Sequence, residues 1–363
     1  MTITSRKSKT LSVIAGAMVA VSASFAHAQD LAGKTVEFVI PFSEAGGSAR
    51  WANFFAPLLS EALPGKPTVV VRYRPGAGST EGANWFQEQT TADGTLLFGT
   101  SGSTQFPYLL GDPRVRYEYA DWQPVLASGT GGVVFLPPDL GAKFDGDFDD
   151  LASENFLYGS QGATTLDLVP LLAFKMLGLQ VDPVFGLEGR GDGRLMFERG
   201  EANIDYQTSS AYIASVIPLV EQNLAVPAFS FGALDENGVI GRDPTFPDIP
   251  SFREVCEATA ACVAEGVEWE AWKAFFISGF AAQKMVYLPN AAPQEVVDMY
   301  TQAFRDIVAR PDFVALAEAE LGAYPQLTGD AGRSASDQAT KVAPESREFV
   351  LKWLGEAYGV TMK

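Results

Sequence analysis

The sequence predicts an α/β fold of two lobes, each a mostly parallel sheet flanked by helices, with the lobes joined by crossing strands. Three observations lead there. Strand-like apolar runs alternate with helical stretches through most of the chain. About 335 residues follow an N-terminal leader, more than a single core usually organises. The turns between the runs are built from Gly, Ser and Thr, the composition of strand-to-helix turns that hold ligands at the carboxyl ends of strands.

The leader comes first. Arg6, Lys7 and Lys9 precede an apolar segment from Leu11 to Phe25, which ends in the small-x-small site Ala26, His27, Ala28. Residues 1-28 are therefore expected to be a secretory signal peptide cleaved after Ala28, and the mature protein to be exported. No later run approaches the ~20 apolar residues of a transmembrane helix. Cleavage takes the net charge from −18 to −21 and removes His27, the one histidine. Ser-His and Cys-His nucleophile pairs and histidine-ligated zinc are thereby excluded from the mature chain. Its acidity, without basic runs, argues against a nucleic-acid partner. No cofactor and no metal are expected.

The first strand and helix are the clearest. Val36, Phe38 and Ile40 alternate up to Pro41, and Trp51, Phe54, Phe55, Leu58 and Leu59 follow at helical spacing. Between them "PFSEAGGSA" places Gly46 and Gly47 where the first N–H groups of the helix lack intrahelical partners, a seat for an anion. A bare tight turn capped by Ser48 is the simpler reading of that stretch alone. Further strands are read in "TVEFVIP", "TVVVRYR", "TLLFG", "FLYGS", "DPVFG", "ANIDYQ", "LAVPAFSF" and "AWKAFFISGF". Helices are expected after Gly47, after Gly82, around Leu166 to Leu177, around Gly193 to Glu198, and from Pro293 to Arg310.

The extended segments "WQPVLASGTGGVVFL" and "LAVPAFSF" suit two crossings, which would insert the second lobe into the first. The expected division is 29-128 plus 228-363 for lobe 1 and 129-227 for lobe 2, hinged so as to close on a solute. Cys256 and Cys262 lie in "CEATAAC". An oxidising compartment favours their disulfide, but six residues of continuous helix would hold them about 9 Å apart, so a bond requires a break between them.

Five turns carry the candidate chemistry: Gly46, Gly47 and Ser48 after Pro41, then residues 75–80 ("PGAGST"), 100–104 ("TSGST"), 158–165 ("YGSQGATT") and 206–210 ("YQTSS"). They supply backbone N–H groups and neutral hydroxyls rather than acids and bases. "RPGAGSTEG" departs from a GxGxxG dinucleotide loop in its glycine spacing, and "GTSGS" around Ser101 lacks both the final glycine and the histidine of a nucleophile elbow.

Taken together the turns resemble the periplasmic substrate-binding proteins of tripartite tricarboxylate transporters, the Bug type. The resemblance spans nearly the whole mature chain: "PFSEAGGSA", "VVVRYRPGAGSTEGANWF", "TADGTLLFGTSGS", "YGSQGATT", "ANIDYQTSS", "RDPTFPDIPSFREV" and the C-terminal stretch from "LPNAAPQEVV" to "GAYP" occur in order. It implies a monomeric, non-enzymatic receptor whose two lobes close on a small organic acid, a di- or tricarboxylate or an aromatic carboxylate, and deliver it to a permease of two integral membrane subunits. Carried over residue by residue, the first-lobe ligand site is Phe42, Ser43, Gly46, Gly47, Ser48 and Ser101. The facing site is Ser160, Gly162, Ala163 and Thr164, with Gln207 and Thr208 added. The family usually places an aspartate shortly after the double glycine, where this chain has Ala49 and Arg50, and often an asparagine at Tyr73. Arg50 either enters the pocket, favouring a more anionic ligand, or faces outward as most arginines do.

The charge of −21 does not forbid an anionic ligand, because the Debye length is about 8 Å at physiological salt while amides in a closed cleft act at contact distance. Two other readings are a sensory binding protein for another solute, which a neighbouring gene would distinguish, and a histidine-free exported hydrolase using Ser101 with Lys175, which turnover of the bound compound would reveal.

Overall fold

In the computed structural model, residues 1–2, 30–235 and 238–362 are described. The expected signal peptide, with its cleavage site, lies outside the described residues save for Met1 and Thr2.

The first half of the chain runs β1 (Thr35–Ile40), α1 (Gly47–Ala62), β2 (Thr68–Tyr73), α2 (Thr80–Gln87), β3 (Leu96–Gly99), α3 (Gly102–Leu110), β4 (Gln123–Ser128), β5 (Gly132–Leu136) and α4 (Pro138–Gly141). There follow β6 (Asn155–Ser160), α5 (Leu168–Met176), β7 (Gln180–Phe185), α6 (Arg190–Glu198), β8 (Asp205–Thr208), α7 (Ser209–Ala211), α8 (Ile217–Glu221) and β9 (Val226–Ser230). The remainder is β10 (Ala233–Leu234), β11 (Ile240–Gly241), α9 (Phe252–Ala258), α10 (Gly266–Phe276), β12 (Lys284–Leu288), α11 (Gln294–Val308), α12 (Phe313–Glu320), β13 (Gln326–Leu327), α13 (Gly329–Ala339) and α14 (Pro344–Tyr358).

A six-stranded sheet in the order β13-β4-β12-β3-β1-β2 forms the centre of the first lobe. Phe38 and Ile40 of β1 point to the face covered by α1 and α11, where Trp51, Phe55, Tyr300 and Phe304 pack. Val39 points to the other face, among Phe86, Phe98, Trp122 and Tyr287. Both faces of the sheet are thus buried, as the near-continuous apolar strands require. The second lobe carries a three-stranded sheet, β8-β5-β9, and the pair β6-β7. Its core joins Tyr158, Phe174 and Phe229 to Phe252, Trp272 and Trp353 of α9, α10 and α14.

The α/β class with helix-flanked sheets stands, but the sheets are mixed rather than mostly parallel. Parallel pairing holds for β2-β1-β3 and β6-β7, whereas β12 is antiparallel to both β3 and β4, and β5 to both β8 and β9. The reason lies in the chain path. The chain leaves the large sheet through β4 and returns through β12, so these adjacent strands run in opposite directions. A second difference concerns "AWKAFFISGF", read from its apolar run as a strand. It is helical, comprising α10 and a π-type turn at Ile277–Ala281. Ala271, Trp272, Phe275 and Phe276 are all buried, packed on α5 and α14, so the apolar stripe is too broad to show its period.

Cys256 and Cys262 are joined by a disulfide with Cα atoms 5.0 Å apart. Helix α9 ends at Ala258 and Thr259 turns extended, which is the break a bond at this spacing needs.

The crossing at residues 129–131 is pinned at each residue. Gly129 N–H donates to Pro325 O (3.1 Å), Thr130 N–H to Phe280 O (3.0 Å) and Gly131 N–H to Ser209 Oγ (3.0 Å). Ser209 Oγ lies 2.7 Å from the Tyr324 hydroxyl, which in turn donates to Asp243 (2.7 Å). A side chain at Gly131 would meet Asp243 Oδ2 at 2.0 Å and the Tyr324 hydroxyl at 2.3 Å, so only glycine passes.

Candidate functional site

Helix α1 starts at Gly47 because Trp51, Phe55 and Leu59 recur every fourth residue toward the sheet, and its N-cap Gly46 offers no side chain to satisfy the first turn. Helix α6 starts the same way. Its N-cap is Gly189 and no side chain caps it. The two uncapped ends meet across the cleft: a Cβ built on Gly46 would lie 3.4 Å from Gly191 N, and one on Gly191 would lie 2.5 Å from the carbonyl of Ala45. A Cβ on Gly47 would approach Thr208 Oγ1 to 2.3 Å. Each terminus carries about half a positive charge, so their apposition favours an anion between them.

Beside this meeting point lies a cavity of about 20 Å³, room for about one water molecule. From the first lobe it is lined by Phe42, Gly46, Gly47, Ser48, Ser101 and Ser103, with Gln283 from the turn before β12. The second lobe contributes Gln161, Leu166, Gly189, Arg190 and Thr208. Of the residues singled out in the sequence, Phe42, Gly46, Gly47, Ser48, Ser101 and Thr208 come together here. Ser101 is the N-cap of α3: its side chain accepts from Ser103 N–H (3.2 Å) and its own N–H donates to Thr104 Oγ1 (3.3 Å).

The other candidates sit around this cavity rather than in its wall. Ser43 binds the opposite lobe, its N–H donating to Glu188 O (3.3 Å) and its hydroxyl to Asp192 (3.4 Å). Ser160 is buried and donates to Asp167 (2.8 Å). Gln207 donates to Arg190 O (2.7 Å) and to Asp205 (2.8 Å), behind the site. Gly162, Ala163 and Thr164 line a larger outer cavity of about 590 Å³ with Gly76, Gly78 and Arg114. Gln161 borders both cavities. Arg50 faces outward, where it donates to Ser215 Oγ of the second lobe (2.8 Å), and lines neither cavity. Lys175 is paired with Glu268 and is not assembled with Ser101.

The sequence reading missed Arg190, the one ionisable residue among the described residues of the inner cavity's wall. It is 6% exposed and donates to Gly159 O (2.5 Å), Tyr206 O (3.2 Å), Asp167 (3.3 Å) and Asp205, both of these carboxylates being fully buried. Its guanidinium also lies over the rings of Tyr158 and Tyr206, at 5.0 and 4.6 Å. Burial works against its charge, but the Asp167 and Asp205 charges beside it outweigh that and hold it protonated. Burial pushes Asp205 up to about 6 although Arg190 pulls the other way. Asp167 further accepts from the Gln161 N–H (2.6 Å). One buried cation thus ties together the three second-lobe segments that border the cavity, around residues 159–167, 189–191 and 205–208. The only sequence signal was its place between two glycines at a helix start.

No group of three His, Cys, Asp or Glu residues among the described residues is arranged to hold a metal. No described helix is long and apolar enough to cross a membrane.

Two lobes joined by crossing strands, with a polar cavity walled by glycines, hydroxyls and amides where the lobes meet, define the periplasmic binding protein fold. No family model matches the chain. Particular relatives give the likeness its detail, and the chain resembles the Bug-type proteins over its length. It is 25% identical over 348 residues to a UPF0065 protein of Bordetella pertussis, covering 93% of this chain and 97% of that one. The periplasmic binding protein BugD shares the fold at a TM-score of 0.66, with 17% identity over 91% of this chain and 99% of that one. Rpa4515 of R. palustris, solved with adipate, superposes at 0.67, with 16% identity over 91% of this chain and 98% of that one. MatC of Rhodopseudomonas palustris, solved with bound malate, does so at 0.62, with 15% identity over 87% and 98%. BugD is a periplasmic binding protein, and the other two structures hold small dicarboxylates, adipate and malate.

Proposed function

We propose that this protein is an extracytoplasmic receptor that captures a small organic acid between its lobes and hands it to a membrane permease of the tripartite tricarboxylate type. The observation that carries the reading is the apposition of two helix N-termini, at Gly47 and Arg190, neither capped by a side chain. Both direct partial positive charge into one cleft, and the lining adds hydroxyl and amide groups that suit carboxylate oxygens. The adipate and malate of two solved relatives agree with that chemistry. With the lobes this close the inner cavity holds no more than about one water, so an acid enters when the lobes part, with residues 129–131 as the natural pivot. We further take the mature receptor to begin after Ala28 and to act as a monomer.

The test is a thermal-shift screen of the chain from residue 29 onward against dicarboxylates, tricarboxylates, aromatic acids and neutral solutes. A receptor for an acid gains about 2.7 kcal/mol when the acid is present at a hundredfold excess over its Kd. Stabilisation by neutral solutes alone, or by none of the panel, contradicts the proposal.

A further inference from the structure

Two side chains in the inner cavity, one from each lobe, have hydrogen-bonding atoms without partners. Gln161 is 6% exposed and, among the described residues, nothing accepts from its Nε2; Gln283 is 2% exposed and none of them donates to its Oε1. Both line the same cavity. The carbonyl end of the Gln161 amide is the one engaged by its neighbour. Ser103 Oγ accepts the Leu166 N–H (3.2 Å) and donates to Gln161 Oε1 (3.1 Å), which leaves the NH₂ group turned away from Ser103. A buried donor and a buried acceptor left open each carry a desolvation cost. A group that both accepts and donates removes both costs.

We propose that Gln161 and Gln283 are specificity-determining residues that read a hydroxyl beside the ligand's carboxylate, so that the site takes 2-hydroxy acids in preference to their deoxy analogues. The inference rests on the receptor reading above. A hydroxyl accepts from Gln161 Nε2 and donates to Gln283 Oε1, whereas a second carboxylate supplies acceptors only. An ammonium group donates only, leaving Gln161 Nε2 open, and it finds no Asp or Glu among the described residues of the cavity wall. Amino acids are therefore the poorer match. The cavity's volume of about 20 Å³ fits a hydroxyl-sized group at the junction of the lobes.

Matched pairs test this by calorimetry on the full mature chain: L-malate against succinate, citrate against tricarballylate and L-lactate against propionate, with L-aspartate beside L-malate. The hydroxy member of whichever pair binds is expected to bind about tenfold or more tightly, the value of one buried hydrogen bond. Gln283→Leu should bring the two members within about threefold, and Gln161→Leu should weaken the hydroxy acid about tenfold. Equal affinities within every pair that binds, or a preference that survives Gln283→Leu, overturn the inference and leave the receptor standing. Binding of neither member of any pair removes the receptor reading and this inference with it. The wild-type ratio needs no variant, so a misfolded substitution does not obscure the result.

Discussion

The guanidinium of Arg190 donates to the carboxylate of Asp205 with both groups buried, and Asp167 takes a further hydrogen bond from the same guanidinium. A cation held by two carboxylates, two carbonyls and two rings is a device for fixing loops, since its charge is already committed. Arg190→Met leaves two buried carboxylates uncompensated, which costs about 3–5 kcal/mol. Urea unfolding should show that loss. Arg190→Lys should recover only part of it, because one ammonium cannot match the planar fork that reaches Gly159, Tyr206, Asp167 and Asp205.

Close approach of the lobes depends on missing side chains. Gly191→Ala places a methyl 2.5 Å from the backbone carbonyl of Ala45, which cannot swing aside. That variant should keep its melting temperature within a few degrees, hold the lobes further apart in small-angle scattering, and bind the wild-type ligand at least about tenfold more weakly. Gly47→Ala should be milder, because the atom it meets is the Thr208 side chain.

Lys284 gives stability a dependence on alkaline pH. It is 2% exposed, and burial alone lowers it from 10.5 to about 7. Between those values the unfolded chain binds the proton that the folded chain has released, so stability rises with pH through that window and is lowest below about 7. Urea midpoints at pH 6, 7.5 and 9 should climb for the wild type and flatten for Lys284→Met, with the variant the more stable at pH 6.

Removing the disulfide by Cys256→Ser with Cys262→Ser frees a short loop, worth about 2 kcal/mol of unfolded-state entropy. A reduced melting temperature with unchanged ligand affinity is the expected pair of results, since the bond lies beside α9 and lines neither cavity.

What the sequence disclosed follows from the range of the forces involved. The β1 to α1 turn was legible because strand alternation and helical spacing are local and Gly46 and Gly47 stand between them. The second-lobe turns were legible as turns, yet which of their atoms reach the cavity depends on packing: Ser160 turns inward to Asp167, while the unremarked Gln161 beside it lines the wall. Arg190 was hidden because an arginine flanked by glycines reads as surface, and the carboxylates that bury it lie 23 and 15 residues away in the chain. Gln283 gave no signal at all, since it follows an apolar run whose helical period its own burial concealed.

The most direct measurement is a crystal structure of the mature protein with the acid that stabilises it most. A carboxylate held between the backbone amides at the starts of α1 and α6, within hydrogen-bonding distance of Gly47 and Gly191, is the predicted result. An acid bound instead in the outer cavity beside Arg114 and Thr164, with the two helix ends left unengaged, would contradict the account.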